Sequence, residues 1–254
     1  STVEELRIDC SFSRPGHITA ANGRSALAML EADMQWLVAM GDRTPRMLGP
    51  EEAAALAGTR CYMGGYLDPR AGGLHPLNYA RGLADGLVGR GVRVFAGTAA
   101  TAIQEDARGV NVVTAGGTVR ARQLLICSNA YTELFPLGTD LHRRVVPVST
   151  SVITTAPLPD ALLRALLPQG HLVSDTRHLL NYFRIAPGNR LLFGGRGSLT
   201  GRESPEVYHG LERRLFETFP ALEGVALDHR WSGKVAVTLD DFPHIGRLSP
   251  RVAY

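Results

Sequence analysis

Residues 72–95 read GGLHPLNYARGLADGLVGRGVRVF and residues 109–127 read GVNVVTAGGTVRARQLLIC, and the order of elements in these two runs decides the fold. Gly72-Gly73-Leu74-His75-Pro76 is a turn, because glycine and proline supply the backbone angles a turn needs. Leu77, Ala80, Ala84, Leu87 and Val88 then recur at helical spacing and predict an amphipathic helix that ends near Gly89 and Gly91. Val92-Arg93-Val94-Phe95 predicts a short strand. Residues 109–114 and 118–121 flank Ala115-Gly116-Gly117, the signal of a β-hairpin. Gln123-Leu124-Leu125-Ile126-Cys127 is a continuous apolar run, as expected of a strand buried on both faces. It leads into Ser128-Asn129-Ala130, small residues where a ligand can come close.

Upstream, residues 25–40 predict a strong helix, with Leu27, Leu30, Met34, Leu37 and Val38 at helical spacing and Gly41 placed to cap its end. Pro50-Glu51-Glu52 opens a shorter helix, with proline in the first turn and acids at its positive end. Downstream the pattern turns β-rich. Residues 145–155 are long and β-branched, and residues 179–184 and 190–195 predict strands joined through Ala186-Pro187-Gly188-Asn189. A helix with Leu211, Leu215 and Phe219 on one stripe and a strand over residues 225–231 follow. This region predicts a mostly antiparallel sheet with covering helices. The fold class is therefore mixed α/β.

Composition excludes several classes. Hydrophobic residues make up 44% and charged residues 20%, ordinary for a globular chain. The net charge of +3 is spread out, and His142-Arg143-Arg144, the densest basic spot, is too short for a nucleic-acid stripe. No apolar run nears the roughly 20 residues of a membrane span. No signal peptide opens the chain, and Cys10, Cys61 and Cys127 without CxxC spacing read as buried thiols of a reducing, cytoplasmic compartment. Neither a GxGxxG nor a GxxxxGK[ST] loop is present, and the histidines lack HExxH spacing. Gly194-Gly195-Arg196-Gly197 reads as a strand end with a close backbone approach rather than a phosphate loop.

The order of these pieces resembles the FAD-dependent amine and amino-acid oxidase family that includes D-amino-acid oxidase, glycine oxidase and sarcosine oxidase. Carrying the resemblance are Gly64-Gly65-Tyr66-Leu67-Asp68-Pro69, Gly73-Leu74-His75-Pro76, Thr98 to Ile103, and Leu124-Leu125-Ile126-Cys127-Ser128-Asn129-Ala130-Tyr131. Asn181-Tyr182-Phe183-Arg184, Trp231-Ser232-Gly233 and Phe242-Pro243-His244-Ile245-Gly246 extend it over nearly the whole chain. The resemblance implies a partial FAD-binding, Rossmann-like domain (residues 72–135 and 240–254) and an antiparallel-sheet substrate domain (residues 1–71 and 136–239). It also implies a fragment, about two thirds of such an enzyme, without the GxGxxG segment that holds the FAD pyrophosphate and without the C-terminal flavin segment.

The roles it implies are specific. Ala100 would meet the adenine end of FAD through its main chain, or be a plain strand edge. Ser128, Asn129 and Ala130 would form the small-residue turn near the cofactor, or a simple strand exit. Tyr182 would border the substrate, or be a core tyrosine. Arg184 would hold a substrate carboxylate, or lie at the surface of a strand end. Related oxidases hold that carboxylate with an arginine near the stretch matched by Trp231-Ser232-Gly233, where this chain has none, although Arg230 is adjacent. A small-molecule amine longer than a simple α-amino acid fits that departure, including a gamma-glutamylputrescine-like or N-substituted one. The implied reaction is hydride transfer from the amine-bearing carbon to flavin, with molecular oxygen or an electron carrier taking the electrons. The fragment itself is expected to be inactive and to retain little FAD. The alternative is a non-catalytic substrate-binding or assembly module derived from that family.

Overall fold

The computed structural model describes residues 1–134, 137, 139–196, 205–240 and 242–254. The strands are β1 (His17–Ala20), β2 (Arg46–Leu48), β3 (Gly65–Asp68), β4 (Ala100–Asp106), β5 (Gly109–Thr114), β6 (Gly117–Ala121), β7 (Leu124–Leu125), β8 (Val146–Thr155), β9 (Leu172–Asp175), β10 (Tyr182–Ala186), β11 (Arg190–Arg196), β12 (Leu227–Val237) and β13 (Val252–Ala253). The helices are α1 (Thr2–Glu5), α2 (Arg24–Ala39), α3 (Pro50–Ala57), α4 (Pro76–Val88), α5 (Asp160–Leu166) and α6 (Pro205–Thr218). Two compact units result. The first takes in Ser1–Val92, Ser151–Arg196 and the described part of Glu203–Ser232. The second takes in the described parts of Arg93–Thr150 and Gly233–Tyr254.

The large sheet runs in the order β12-β8-β11-β10-β9-β1-β3-β2. It is antiparallel at β2–β3, β3–β1, β9–β10 and β10–β11, and parallel at β1–β9. Alternation along its strands divides two faces. Ile18, Val173, Phe183, Leu191 and Phe193 point to the core of the first unit, where α6 contributes Leu211 and Leu215 and the chain just beyond adds Phe219. Phe183 stacks on Phe193 at 5.9 Å between centroids and meets Phe219 edge-on at 5.0 Å, both within the range aromatic pairs prefer. The other face of β10 carries Tyr182 and Arg184, both half-buried.

Helix expectations hold. Helix α2 ends with Gly41 in the left-handed region at φ 91°, and α3 begins with Pro50 as the turn chemistry requires. Helix α4 covers the predicted span, and its Gly82 and Gly86 let Ile8 and Leu6 pack onto its backbone: a Cβ at Gly82 would lie 2.4 Å from Ile8.

The second unit contains the predicted hairpin, β5–β6 with Thr114 opposite Gly117, extended by β4 into a three-stranded meander. It also contains a parallel pair, β7 with β13. Two strand expectations fail here. Residues 92–95 form no strand, and Val92, Val94 and Phe95 stay exposed, because no neighbouring strand among the described residues offers them a hydrogen-bonding edge. The apolar run 123–127 contributes only Leu124 and Leu125 to a strand, and Leu125 is 61% exposed, since β13 is its only strand neighbour among the described residues. The cysteine expectation is corrected likewise: Cys10 is buried, but Cys61 and Cys127 are exposed. Downstream, the strand expected over 179–184 begins only at Tyr182, because Asn181 turns inward to hydrogen-bond the buried Asp175 carboxylate. No helix among the described residues is long and apolar enough to cross a membrane.

Candidate functional site

Two candidate sites emerge, one in each unit. The first is the outer face of the large sheet. Register places Gly194, Tyr182, Ser174, Thr19 and Tyr66 side by side across β11, β10, β9, β1 and β3. The adjacent row holds Leu192 opposite Arg184, and Leu172, His17 and Asp68 abreast. Gly194 is needed under the first row: a Cβ there would come within 2.2 Å of the Tyr182 ring, so only hydrogen lets that ring lie flat on β11. Gly73, in the loop before α4, packs onto the second row, where a Cβ would stand 3.0 Å from both the Arg184 guanidinium and the Leu172 side chain. The backbone at Gly73 is held there by reciprocal hydrogen bonds with Ser13 of 2.9 and 3.0 Å.

The electrostatics of this face are uneven. Among the described residues no carboxylate and no other acceptor meets the Arg184 guanidinium, and its partial burial works against its charge. A carboxylate would supply the paired hydrogen bonds that such a guanidinium lacks. His17 Nε2 lies 3.0 Å from Ser174 Oγ. Burial pushes the imidazole below its ordinary pKa more strongly than the Asp68 carboxylate raises it, which favours the neutral ring. Asp68 is itself committed to Arg70, whose guanidinium donates to it at 2.8 and 2.9 Å and holds its carboxyl below the usual range; Asp42 is held low by the Thr44 amide at 3.1 Å and then by Arg70 at 2.9 Å.

The second site is a cavity of about 590 Å³ within the second unit. It opens where β7 and β13 end: Ile126, Cys127, Ser128 and Asn129 follow β7, and Tyr254 follows β13. The carboxyl ends of parallel strands are where open α/β sheets bind ligands. Ser128 Oγ is 2.8 Å from Thr132 Oγ1, and the Asn129 side chain accepts from the Ala130 amide at 2.6 Å. Asn129 adopts φ 48°, a left-handed conformation that asparagine tolerates better than most residues. Ala130 is buried behind this turn and does not line the cavity, and Ala100 stands at a bulge at the start of β4. Of the four residues expected at the cofactor, Ser128 and Asn129 thus share the cavity.

Two side-chain pairs that involve cavity-wall residues escaped sequence reasoning. His244 Nε2 bonds Asp240 Oδ1 at 2.9 Å, and this contact holds the Asp240 carboxyl below its usual range. Arg144 donates to the Tyr254 hydroxyl at 3.0 Å and lies over its ring, 5.8 Å from the centroid. The i,i+4 spacing of Asp240 and His244 was a visible signal, whereas Arg144 and Tyr254 are 110 positions apart and left none.

Val145, Val237 and Phe242 supply apolar wall to the cavity, and Ser128, Asn129 and Thr132 supply polar atoms. None of the described strand-to-helix connections that open α2, α3 or α4 presents a glycine-rich loop of the phosphate-binding pattern.

Residues 2–254 match the family described as FAD dependent oxidoreductase, DAO. Gamma-glutamylputrescine oxidoreductase of Escherichia coli (strain K12) is 35% identical over 252 residues, which cover 99% of this chain and 58% of that protein. A probable oxidoreductase, OrdL, of Haemophilus influenzae is 30% identical over 254 residues, again 99% of this chain and 58% of that protein. The chain therefore spans 58% of the length of these curated relatives. The crystal structure of glycine oxidase from Geobacillus kaustophilus superposes with a TM-score of 0.83 at 25% identity, covering 99% of this chain and 69% of that one. L-proline dehydrogenase from P. horikoshii shares the fold, with a TM-score of 0.82 at 18% identity and coverage of 99% of this chain and 68% of that one.

Proposed function

The chain belongs to the FAD dependent oxidoreductase family, and on that premise we propose that it forms the substrate-binding part and one half of the cofactor-binding part of an enzyme that oxidises an amine bearing a carboxylate. The observation that carries the substrate reading is Arg184, half-buried beside Tyr182 with no anion among the described residues to answer it. Arg184 binds the carboxylate by a bidentate pair, and the Tyr182 ring, laid flat over Gly194, borders the substrate and fixes its approach. FAD, when bound, supplies the hydride acceptor for the carbon that carries the amine. This chain's own residues bind and orient, and no paired general acid and base is required of them. An amine close to its reacting, unprotonated form needs no strong base.

Residues 1–71 and 136–239 are assigned to the substrate domain and residues 72–135 and 240–254 to the cofactor domain. Ser128 and Asn129 face the planar part of FAD, with Ala130 buried behind them and Ala100 at its adenine end. The pyrophosphate is held by sequence outside these 254 residues, a reading supported by the missing phosphate loop and by the greater length of the curated relatives. The substrate class extends to gamma-glutamylputrescine-like and N-substituted amines. Oxygen or an electron carrier accepts the electrons, and the location is the cytoplasm.

The test is direct. The 254-residue chain should purify colourless, and FAD-loaded full-length protein should lose its flavin absorbance when an amine carrying a carboxylate is added without oxygen. Near-stoichiometric flavin on the 254-residue chain would overturn the division of the cofactor site. Flavin that no amine reduces would overturn the activity.

A further inference from the structure

Helix α2 packs on β2 and β3, with Leu30 and Met34 buried and Leu27 and Leu37 half-buried. At 3.6 residues per turn the opposite side carries Ala28, Met29, Ala32, Trp36, Ala39 and Met40. All six are exposed, Met29 at 68%, Trp36 at 62% and Met40 at 69%. No charge interrupts this face, and Glu31, Gln35 and Asp33 stand on its flanks. A surface helix normally turns its charges outward. Helix α6 does so with Glu206, His209, Arg213, Arg214 and Glu217 exposed, whereas α2 turns apolar side chains to solvent. At its exposure Trp36 alone offers about 150 Å². With the methionines and alanines the patch reaches roughly 600 Å², the upper end of what a monomer leaves bare.

The patch is complementary to itself. In an antiparallel pair of α2 helices centred at the level of Met34, Trp36 of each copy meets Ala32 of the other. Met40 likewise meets Ala28, and Met29 meets Ala39. Every large side chain falls on an alanine, which lets the helix axes approach to about 8 Å. Two copies would bury about 1,200 Å², the lower bound of a specific interface. We propose that two copies of this protein associate through α2, antiparallel, about a two-fold axis beside Met34. The pairing is isologous, so each contact occurs twice. Trp36 is the apolar anchor next to the axis, and Glu31, Asp33 and Gln35 form the polar rim. The proposal is independent of the reading of Arg184.

Sedimentation of the full-length protein over a range of concentrations tests it. An interface of this size corresponds to a dissociation constant on the order of micromolar, so the average mass should double between about 0.1 and 100 µM. W36E sets a carboxylate at the centre of the pair and should weaken association about a hundredfold. A32W sets indole against indole and should also weaken it. The double variant A32W/W36A exchanges the large and the small residue and should restore the dimer, a rescue that general surface stickiness would not give. Both positions are exposed, so the variants should match wild type by circular dichroism. A full-length protein that stays monomeric at the highest concentration, or a W36E variant that dimerises like wild type, would overturn the proposal. So would a 254-residue chain that dimerises when the full-length protein does not, because sequence outside these residues then covers the face. A double variant that stays monomeric would overturn the antiparallel register and the proposal with it.

Discussion

Replacing Arg184 by methionine should make the protein more stable and less able to bind. The guanidinium is half-buried, burial alone acts on its ionisation, and no acceptor among the described residues compensates it. Withdrawing such a charge from water is unfavourable, and a side chain of similar length and no charge removes the cost. About half of the group remains hydrated, so solvent screening limits the gain to roughly 1 kcal/mol. For a chain of this size that corresponds to a rise of about 2–4 °C in melting temperature. A carboxylate ligand at a hundred times its Kd should raise the melting temperature of the wild type by about 5–10 °C, from roughly 2.7 kcal/mol of linkage. The variant should show no such rise. Melts followed by circular dichroism, with and without octanoate, measure both effects. An R184M protein that melts several degrees lower than wild type would show that the guanidinium has a structural partner, and the receptor reasoning would then fail.

Three other outcomes follow from the same structure. Gly194→Ala puts a Cβ within 2.2 Å of the Tyr182 ring and should cost about 1–3 kcal/mol by overpacking, read as a lower urea midpoint together with weaker ligand binding. Asn129→Val should lose about 1–3 kcal/mol through left-handed strain while Asn129→Gly stays near wild type, and equal midpoints would remove the strain argument. For His17 the folded pKa lies below its ordinary value of 6.5, so the unfolded chain takes up the proton first. Stability should therefore fall as pH drops from 6.5 toward the folded pKa, and H17N should flatten that part of a pH-resolved urea series.

Helices were legible because each carries its own signal. The stripe of α2, Pro50 at the start of α3 and the Gly41 stop depend on local spacing, and the structure agrees with all three. Strands at 92–95 and 123–127 were misread because a strand depends on a neighbour that a local pattern cannot supply. The exposed Val94 and Leu125 show what an apolar run does without one. Tyr182 and Arg184 were identifiable as residue types, but their condition was not: the guanidinium that no described residue answers and the ring on Gly194 depend on Gly73 and on β11, which sequence distance hides. His17 gave no sequence signal at all. Its place in the same row as Arg184, one strand removed, follows only from the order β10-β9-β1, in which a parallel pairing joins segments 155 positions apart.

The most direct measurement of the central claim is an anaerobic titration of FAD-loaded full-length protein with an amine that carries a carboxylate, following flavin absorbance in wild type and R184M. The wild type should bleach fully. R184M should bleach to the same extent but only at amine concentrations at least tenfold higher, as expected when one charge-assisted contact worth about 1.5–3 kcal/mol is lost from substrate binding. Absorbance that no amine changes, or identical curves for the two proteins, would contradict the account.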